Sequence, residues 1–235
     1  MSQQAASRRT GAVGALLRRV AAAAALLGAL LLVPLVRVVP GDGAAPLALD
    51  AYLPQHPGER LTYRLSGSLR TTVQLRLSAR RTTAGVPTLS LERLDAPTAA
   101  QVLPFGLNGG TVRIEGDTVV RTAQGGTVRD LVGPVAPGRS WTDARRVAAT
   151  GGAGTTFTVT EDRTLLGPAA LDEPAGHLDR CLVVEVVSHA TAAAGTAGTA
   201  GATVWYCEGV GLARAVLRGG GGAGDTVDLV AVTGR

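Results

Sequence analysis

The 235-residue chain contains no lysine, and all 23 of its basic residues are arginine. Chemistry that needs an ε-amine is therefore excluded: the P-loop lysine, Schiff-base catalysis and the phosphate-binding lysine of protein kinases. Aromatic residues make up only 3% of the chain, too few for the stacking platforms on which single-stranded nucleic acids are bound. There are two cysteines and three histidines, with no CxxC, HExxH or GxSxG spacing. That composition supplies neither a patterned zinc site nor a nucleophile elbow, so no metal or cofactor is expected.

The formal charge of +5 is not spread through the chain. Residues 1–40 hold Arg8, Arg9, Arg18, Arg19 and Arg37 and no acid, leaving 18 arginines against 18 acidic residues in the remainder. A charge-balanced body lacks the electrostatic footprint of a nucleic-acid binder, and that function is set aside.

What the chain does have near its start is Val20–Val36, VAAAAALLGALLLVPLV, seventeen residues without a charge or a hydrogen-bonding side chain. At about 1.5 Å per residue a helix of that length nearly spans a hydrocarbon core, and Val38, Val39 and a snorkelling Arg37 extend it. The run suits a signal peptide or an uncleaved anchor. The four arginines before it set the orientation, with residues 41 onward outside the cytoplasm. No cysteine lies near the run, which excludes a bacterial lipoprotein's lipid-bearing cysteine. The membrane is thus one expected partner, through residues 20–39.

Four segments follow from this reading: a basic region 1–19, a signal or anchor helix 20–39, a flexible tether 40–57 rich in Pro and Gly, and a β domain 58–235. From Glu59 onward the apolar residues recur with period two, as in Leu61, Tyr63, Leu65 and in Val73, Leu75, Leu77, the mark of strands with one buried face. About ten short strands are expected. Gly116-Asp117 marks a hairpin between Val112–Glu115 and Thr118–Arg121. Thr142–Ala149 reads as a possible short helical turn, and Ala190–Ala202 and Gly219–Gly224 as mobile loops of small residues. The fold class is all-β, a strongly curved antiparallel sheet, half-barrel or barrel-like, after one hydrophobic helix.

Cys181 opens one strand and Cys207 closes the next. In a hairpin centred on residue 194 they lie opposite one another, and an exported location favours a disulfide between them. Tyr63, Phe157, Trp205 and Tyr206 are the candidate core aromatics. Trp205 and Tyr206 point to opposite faces, so one of the two helps fill the core. Gly209 and Gly211 supply the positive φ that a tight reversal after Cys207 requires. Gly219–Gly224 satisfies GxGxxG, but a strand-like run follows it, so it marks no dinucleotide site. The acid pairs Glu161-Asp162 and Asp172-Glu173 read as solvated turns rather than glycosidase carboxylates, and no nucleophile, base and orienter come together, so catalysis is not expected.

Three blocks carry a resemblance: Pro54–Tyr63 (PQHPGERLTY), Glu173–His177 with Arg180–Val184, and Thr203–Arg214 (TVWYCEGVGLAR). Together they resemble a group of poorly characterised exported bacterial proteins with a C-terminal WYxxGVGLxR-type block. The resemblance implies a curved antiparallel sheet similar to lipoprotein-carrier half-barrels, anchored or secreted, with no activity attached to the group. The functional expectation is a non-catalytic envelope protein binding an apolar ligand or lipid in a concave sheet. A structural or interaction module with an envelope-protein partner is the alternative, and a hydrolase with an unfamiliar site the third.

Overall fold

The structure, a computed structural model, describes residues 48–68, 70–83, 85–95, 103–123, 126–148, 156–192, 197–219 and 224–235. The basic region 1–19, the helix expected over 20–39 and positions 40–47 of the tether lie outside the described residues. Among those described, no helix is long and apolar enough to cross a membrane.

Twelve strands follow one another: β1 (Arg60–Ser66), β2 (Thr71–Thr83), β3 (Val86–Arg93), β4 (Gly110–Glu115), β5 (Thr118–Ala123), β6 (Gly126–Val132), β7 (Ser140–Ala148), β8 (Thr156–Glu173), β9 (Gly176–Ala192), β10 (Ala197–Cys207), β11 (Gly211–Arg218) and β12 (Thr226–Thr233). They form one antiparallel sheet in the order β6-β5-β4-β3-β2-β1-β12-β11-β10-β9-β8-β7. The chain enters mid-sheet, walks out to β6, crosses to the far edge at β7 and returns until β12 pairs with β1. The sheet curls until its two edges face each other, a nearly closed barrel, so the all-β, strongly curved class holds.

Alternation decides which side chains fill the interior. Leu61, Tyr63 and Leu65 of β1, Val73, Leu75 and Leu77 of β2, Leu182, Val184 and Val186 of β9, and Val227 and Leu229 of β12 are all buried. A β-bulge between Thr62 and Tyr63 in the β1–β12 pair adds to the curvature there.

Several expectations are corrected. Among the described residues the strands number twelve rather than about ten. Thr142–Ala149 forms no helical turn: residues 140–148 are β7, in continuous register with β8. Ala190–Ala202 is mostly ladder, with Thr199 opposite His189 and Gly201 opposite Val187. Backbone hydrogen bonds to a long partner order that segment, and these need no side-chain anchors. Positions 193–196 and 220–223 lie outside the described residues. The flexible tether ends earlier than residue 57, because Leu49–Tyr52 forms a 3-10 turn and Leu49, Tyr52 and Leu53 are buried in the core. Gly209 N–H donates to the Ala51 carbonyl at 2.7 Å and fastens this segment over one end of the barrel.

Two bulges in β8, at Leu165/Gly167 and Ala169/Leu171, redirect the tip of the β8–β9 hairpin. The tip crosses the outer face of the sheet, bringing Glu173 to within 3.8 Å of Arg214 on β11, three strands away. Beneath it lie outward-facing residues that are nonetheless buried: Val183, Cys181 and Cys207. The cysteines are register partners on β9 and β10 and are joined by a disulfide across a separation of 26 residues.

Closing a loop of that length stabilises the fold by about 3 kcal/mol in the chain-entropy account. Replacing both cysteines with alanine, Cys181→Ala and Cys207→Ala, should lower the unfolding free energy by roughly that amount in urea titrations. An unchanged midpoint would mean that the ladder alone carries the hairpin.

Candidate functional site

The edges β6 and β7 meet without a backbone ladder, and side chains take its place. The Arg129 N–H on β6 donates to Asp143 Oδ2 on β7 at 3.1 Å, and Arg129 Nε donates to Asp143 Oδ1 at 2.8 Å. From the other side, Trp141 Nε1 donates to the Arg129 carbonyl at 2.9 Å. The backbone N–H and carbonyl of Arg129 on this edge strand are thereby satisfied by the neighbouring edge's side chains.

A second set of contacts spans the seam from inside the barrel. Alternation along β8 turns Glu161, Arg163 and Leu165 inward. On β6, Leu131 pairs with Val119 and Arg129 with Val120, so Asp130 is the extra residue of a bulge. Arg121 of β5 grips Asp130 with two hydrogen bonds, Nε to Oδ2 at 2.7 Å and Nη2 to Oδ1 at 3.0 Å. Arg163 donates from Nη1 to Asp130 at 3.2 Å across the seam, and from Nη2 to Glu161 at 2.8 Å. Arg145 of β7 completes the chain, donating to Glu161 at 2.6 Å. The Arg163 side chain is 1% exposed. Burial opposes ionisation of both acids, yet the surrounding guanidiniums outweigh it. Asp130 is held below the usual carboxylate range by Arg121 and Arg163, and Glu161 is brought down to about 2 by Arg145 and Arg163.

Beside this network lies a cavity that leaves about 50 Å³ of room. Its walls are apolar, from Leu61, Tyr63, Leu75 and Val112, and its polar end is formed by Arg121, Asp130 and Tyr206. Tyr52–Pro54 and Phe105–Leu107 also line it. Phe105 adopts φ 54°, a left-handed conformation costly for a residue with a Cβ. Gly106 beside it accommodates Arg121, whose Cδ would stand 2.5 Å from any added Cβ.

On the outer face, Glu173 is buried under the hairpin tip, its side chain 1% exposed, and neither carboxylate oxygen has a hydrogen-bond partner. Burial and the nearby Asp228 carboxylate raise it to about 7, against the pull of Arg214 and Arg64. Arg214 also lies over the Trp205 ring, 5.7 Å from its centroid.

The sequence-predicted residues fall as follows. Tyr63 and Tyr206 are buried inside the barrel, whereas Trp205 and Phe157 are only partly covered. Trp205 packs on the outer face beneath the hairpin tip, and it is Tyr206 of the pair that fills the core. Gly209 and Gly211 take φ of 74° and 76° at the β10–β11 reversal. Of the acid pairs read as solvated turns, Asp162 and Asp172 are exposed, but Glu161 and Glu173 are buried on β8. Period-two alternation was the available signal, because neighbouring strand residues face opposite ways. His177 bonds Asp172 and Asp179 at the exposed β8–β9 turn, far from His56 and His189 in the chain. Among the described residues no group of His, Cys, Asp and Glu is arranged to hold a metal ion.

No protein-family model matches the chain, and neither does any curated protein. Among solved structures it is similar to a lipoprotein candidate from Parabacteroides distasonis, at 11% identity and a TM-score of 0.59, over 77% of this chain and 98% of that one. It is also similar to an exported-protein candidate with a YmcC-like fold from Bacteroides fragilis, at 10% identity and a TM-score of 0.45, over the same shares of the two chains. The first likeness shows a shared fold.

Two outcomes are expected. Arg163→Met leaves buried Asp130 to Arg121 alone and Glu161 to Arg145 alone, and should cost about 3 kcal/mol in urea unfolding at pH 7. A loss below about 1 kcal/mol would mean the network is not load-sharing across the seam. The pH dependence has opposite signs at the two sites. Depressed carboxylates such as Glu161, ordinarily near 4.5, stabilise the fold above that pH and lose this contribution as pH falls toward 2. Glu173, raised from 4.5 to about 7, stabilises the fold when protonated and loses its contribution as pH rises through 7. Glu173→Gln should therefore match the wild type at pH 4 and exceed it in thermal stability at pH 8, and equal stabilities at pH 8 would refute the assignment.

Proposed function

We propose that this chain is a non-catalytic envelope protein whose barrel takes up a small apolar ligand at its covered end. One observation carries the reading: among the described residues the interior keeps an apolar cavity with a polar end. Pockets of this composition, mostly apolar with a few convergent polar groups, are the usual form of a ligand site.

Extracytoplasmic placement is supported by the apolar run after four arginines and by the disulfide, a bond that persists in oxidising compartments. The fold shared with a lipoprotein candidate agrees with it. Because the lipid-bearing cysteine is missing, residues 20–39 are the proposed means of delivery or attachment. The non-catalytic part of the reading is supported by the charge network: Asp130 and Glu161 are held ionised by arginines rather than poised near neutrality, where a general acid or base works best.

The test is fluorescence of N-phenyl-1-naphthylamine with the full-length protein in nanodiscs, against empty nanodiscs. Saturable binding is expected, weakened at least tenfold by Leu75→Trp, which fills the apolar wall. A folded protein that binds no apolar probe would overturn the reading in favour of a structural or interaction module.

A further inference from the structure

The polar end of the cavity is rich in donors and poor in acceptors. Asp130, the acceptor there, is already engaged by Arg121 twice and by Arg163. Arg121 spends Nε and Nη2 on that carboxylate and makes no hydrogen bond through Nη1 to any of the described residues, and it lines the cavity. The Tyr206 hydroxyl, on a residue 6% exposed, also lines the cavity; it stands beside Asp130 and Arg163 but has no well-directed hydrogen-bond partner among the described residues. A buried hydroxyl without a partner is costly, and a ligand that pairs with it recovers that cost. Three guanidiniums, of Arg121, Arg145 and Arg163, are set against two carboxylates in the network, which leaves one positive charge in excess.

We infer that the cavity is a receptor for a short aliphatic monocarboxylate, its chain against Leu75 and Val112 and its carboxylate at the Arg121–Tyr206 end. The inference rests on the reading of the barrel as a ligand-binding domain and adds the chemistry of the ligand. A carboxylate is acceptor-only, so it matches two free donors without needing an acceptor that the site lacks. Its charge balances the network's excess. The paired acids supply no counter-pull, since each is already neutralised by arginine. Chain length is limited by room, since the cavity leaves only about 50 Å³. The same polar end disfavours a cationic head, which would add a second buried positive charge.

Isothermal titration of the full-length protein in nanodiscs with hexanoate, hexan-1-ol and hexylammonium separates the possibilities, with empty nanodiscs as the blank. Hexanoate should bind at least about tenfold more tightly than hexanol, the effect of one or two charge-assisted hydrogen bonds. Tyr206→Phe, which keeps the ring and so the packing, should lower hexanoate affinity at least threefold and leave hexanol unchanged. Equal affinity for hexanoate and hexanol, or a preference for hexylammonium, would overturn the carboxylate assignment while leaving the apolar pocket intact. Binding of none of the three by protein whose thermal melt is cooperative would overturn the pocket as well. Hexanoate preference that survives Tyr206→Phe unchanged would remove the assigned site.

Discussion

The barrel depends on how its seam is closed. A meander of twelve strands that starts and ends mid-sheet must leave two edges, and here they are β6 and β7, neighbours in the chain. Without a ladder between them, the Arg163–Asp130 contact and the Arg129–Asp143 pair hold the edges together from within and along the rim. Charged groups are an expensive way to join strands, because each must leave water before it can attract its partner. They are suited to this position because the backbone register does not impose spacing across the seam, and a guanidinium reaches across a gap that a peptide N–H cannot.

That choice sets the rest of the interior. Placing four charged residues on β5, β6 and β8 removes apolar volume from one side of the barrel, so the dry core concentrates on β1, β2, β9, β10 and β12. The cavity lies at the boundary between the two halves, with Tyr206 as the residue that touches both. A cavity at such a boundary is amphipathic without further adjustment. Tyr52–Pro54, which also line the cavity, belong to a segment with no ladder of its own, held instead by burial and by the Gly209 N–H bond to Ala51.

Much of the fold was legible because the signals were local. Leu61, Tyr63 and Leu65 alternate without interruption, and the symmetry of 181 and 207 about residue 194 follows from hairpin geometry alone. Where inward positions are charged, the same alternation vanishes from a hydrophobicity pattern. Asp143 and Arg145 occupy inward positions of β7, and their segment therefore resembled a helical turn. Glu161 and Arg163, in the run Thr160-Glu161-Asp162-Arg163-Thr164, resembled a solvated stretch for the same reason. Leu49, Tyr52 and Leu53 follow neither period. Their burial is decided by a partner about 160 positions later, the Gly209 N–H that holds Ala51, and no local pattern encodes that distance.

The outer face repeats the logic of the seam in reverse. Along one row, Val183, Trp205, Arg214, Asp228 and Arg64 stand side by side on five successive strands, fixed by register. Such a row would normally meet water. The bulged tip of β8–β9 folds over it and inserts Glu173 among Arg214, Asp228 and the Trp205 ring, so a carboxylate is buried where a second carboxylate already claims the arginine. Burial, with Asp228 adding to it, pushes Glu173 toward neutrality against the weaker pull of Arg214 and Arg64, while Asp130, also buried but hydrogen-bonded by two arginines, is held ionised. Direct hydrogen bonds from guanidiniums offset burial at Asp130, and their lack at Glu173 leaves burial dominant there. The inner network is therefore fixed in charge across the neutral range, and the outer contact is the one whose charge changes there.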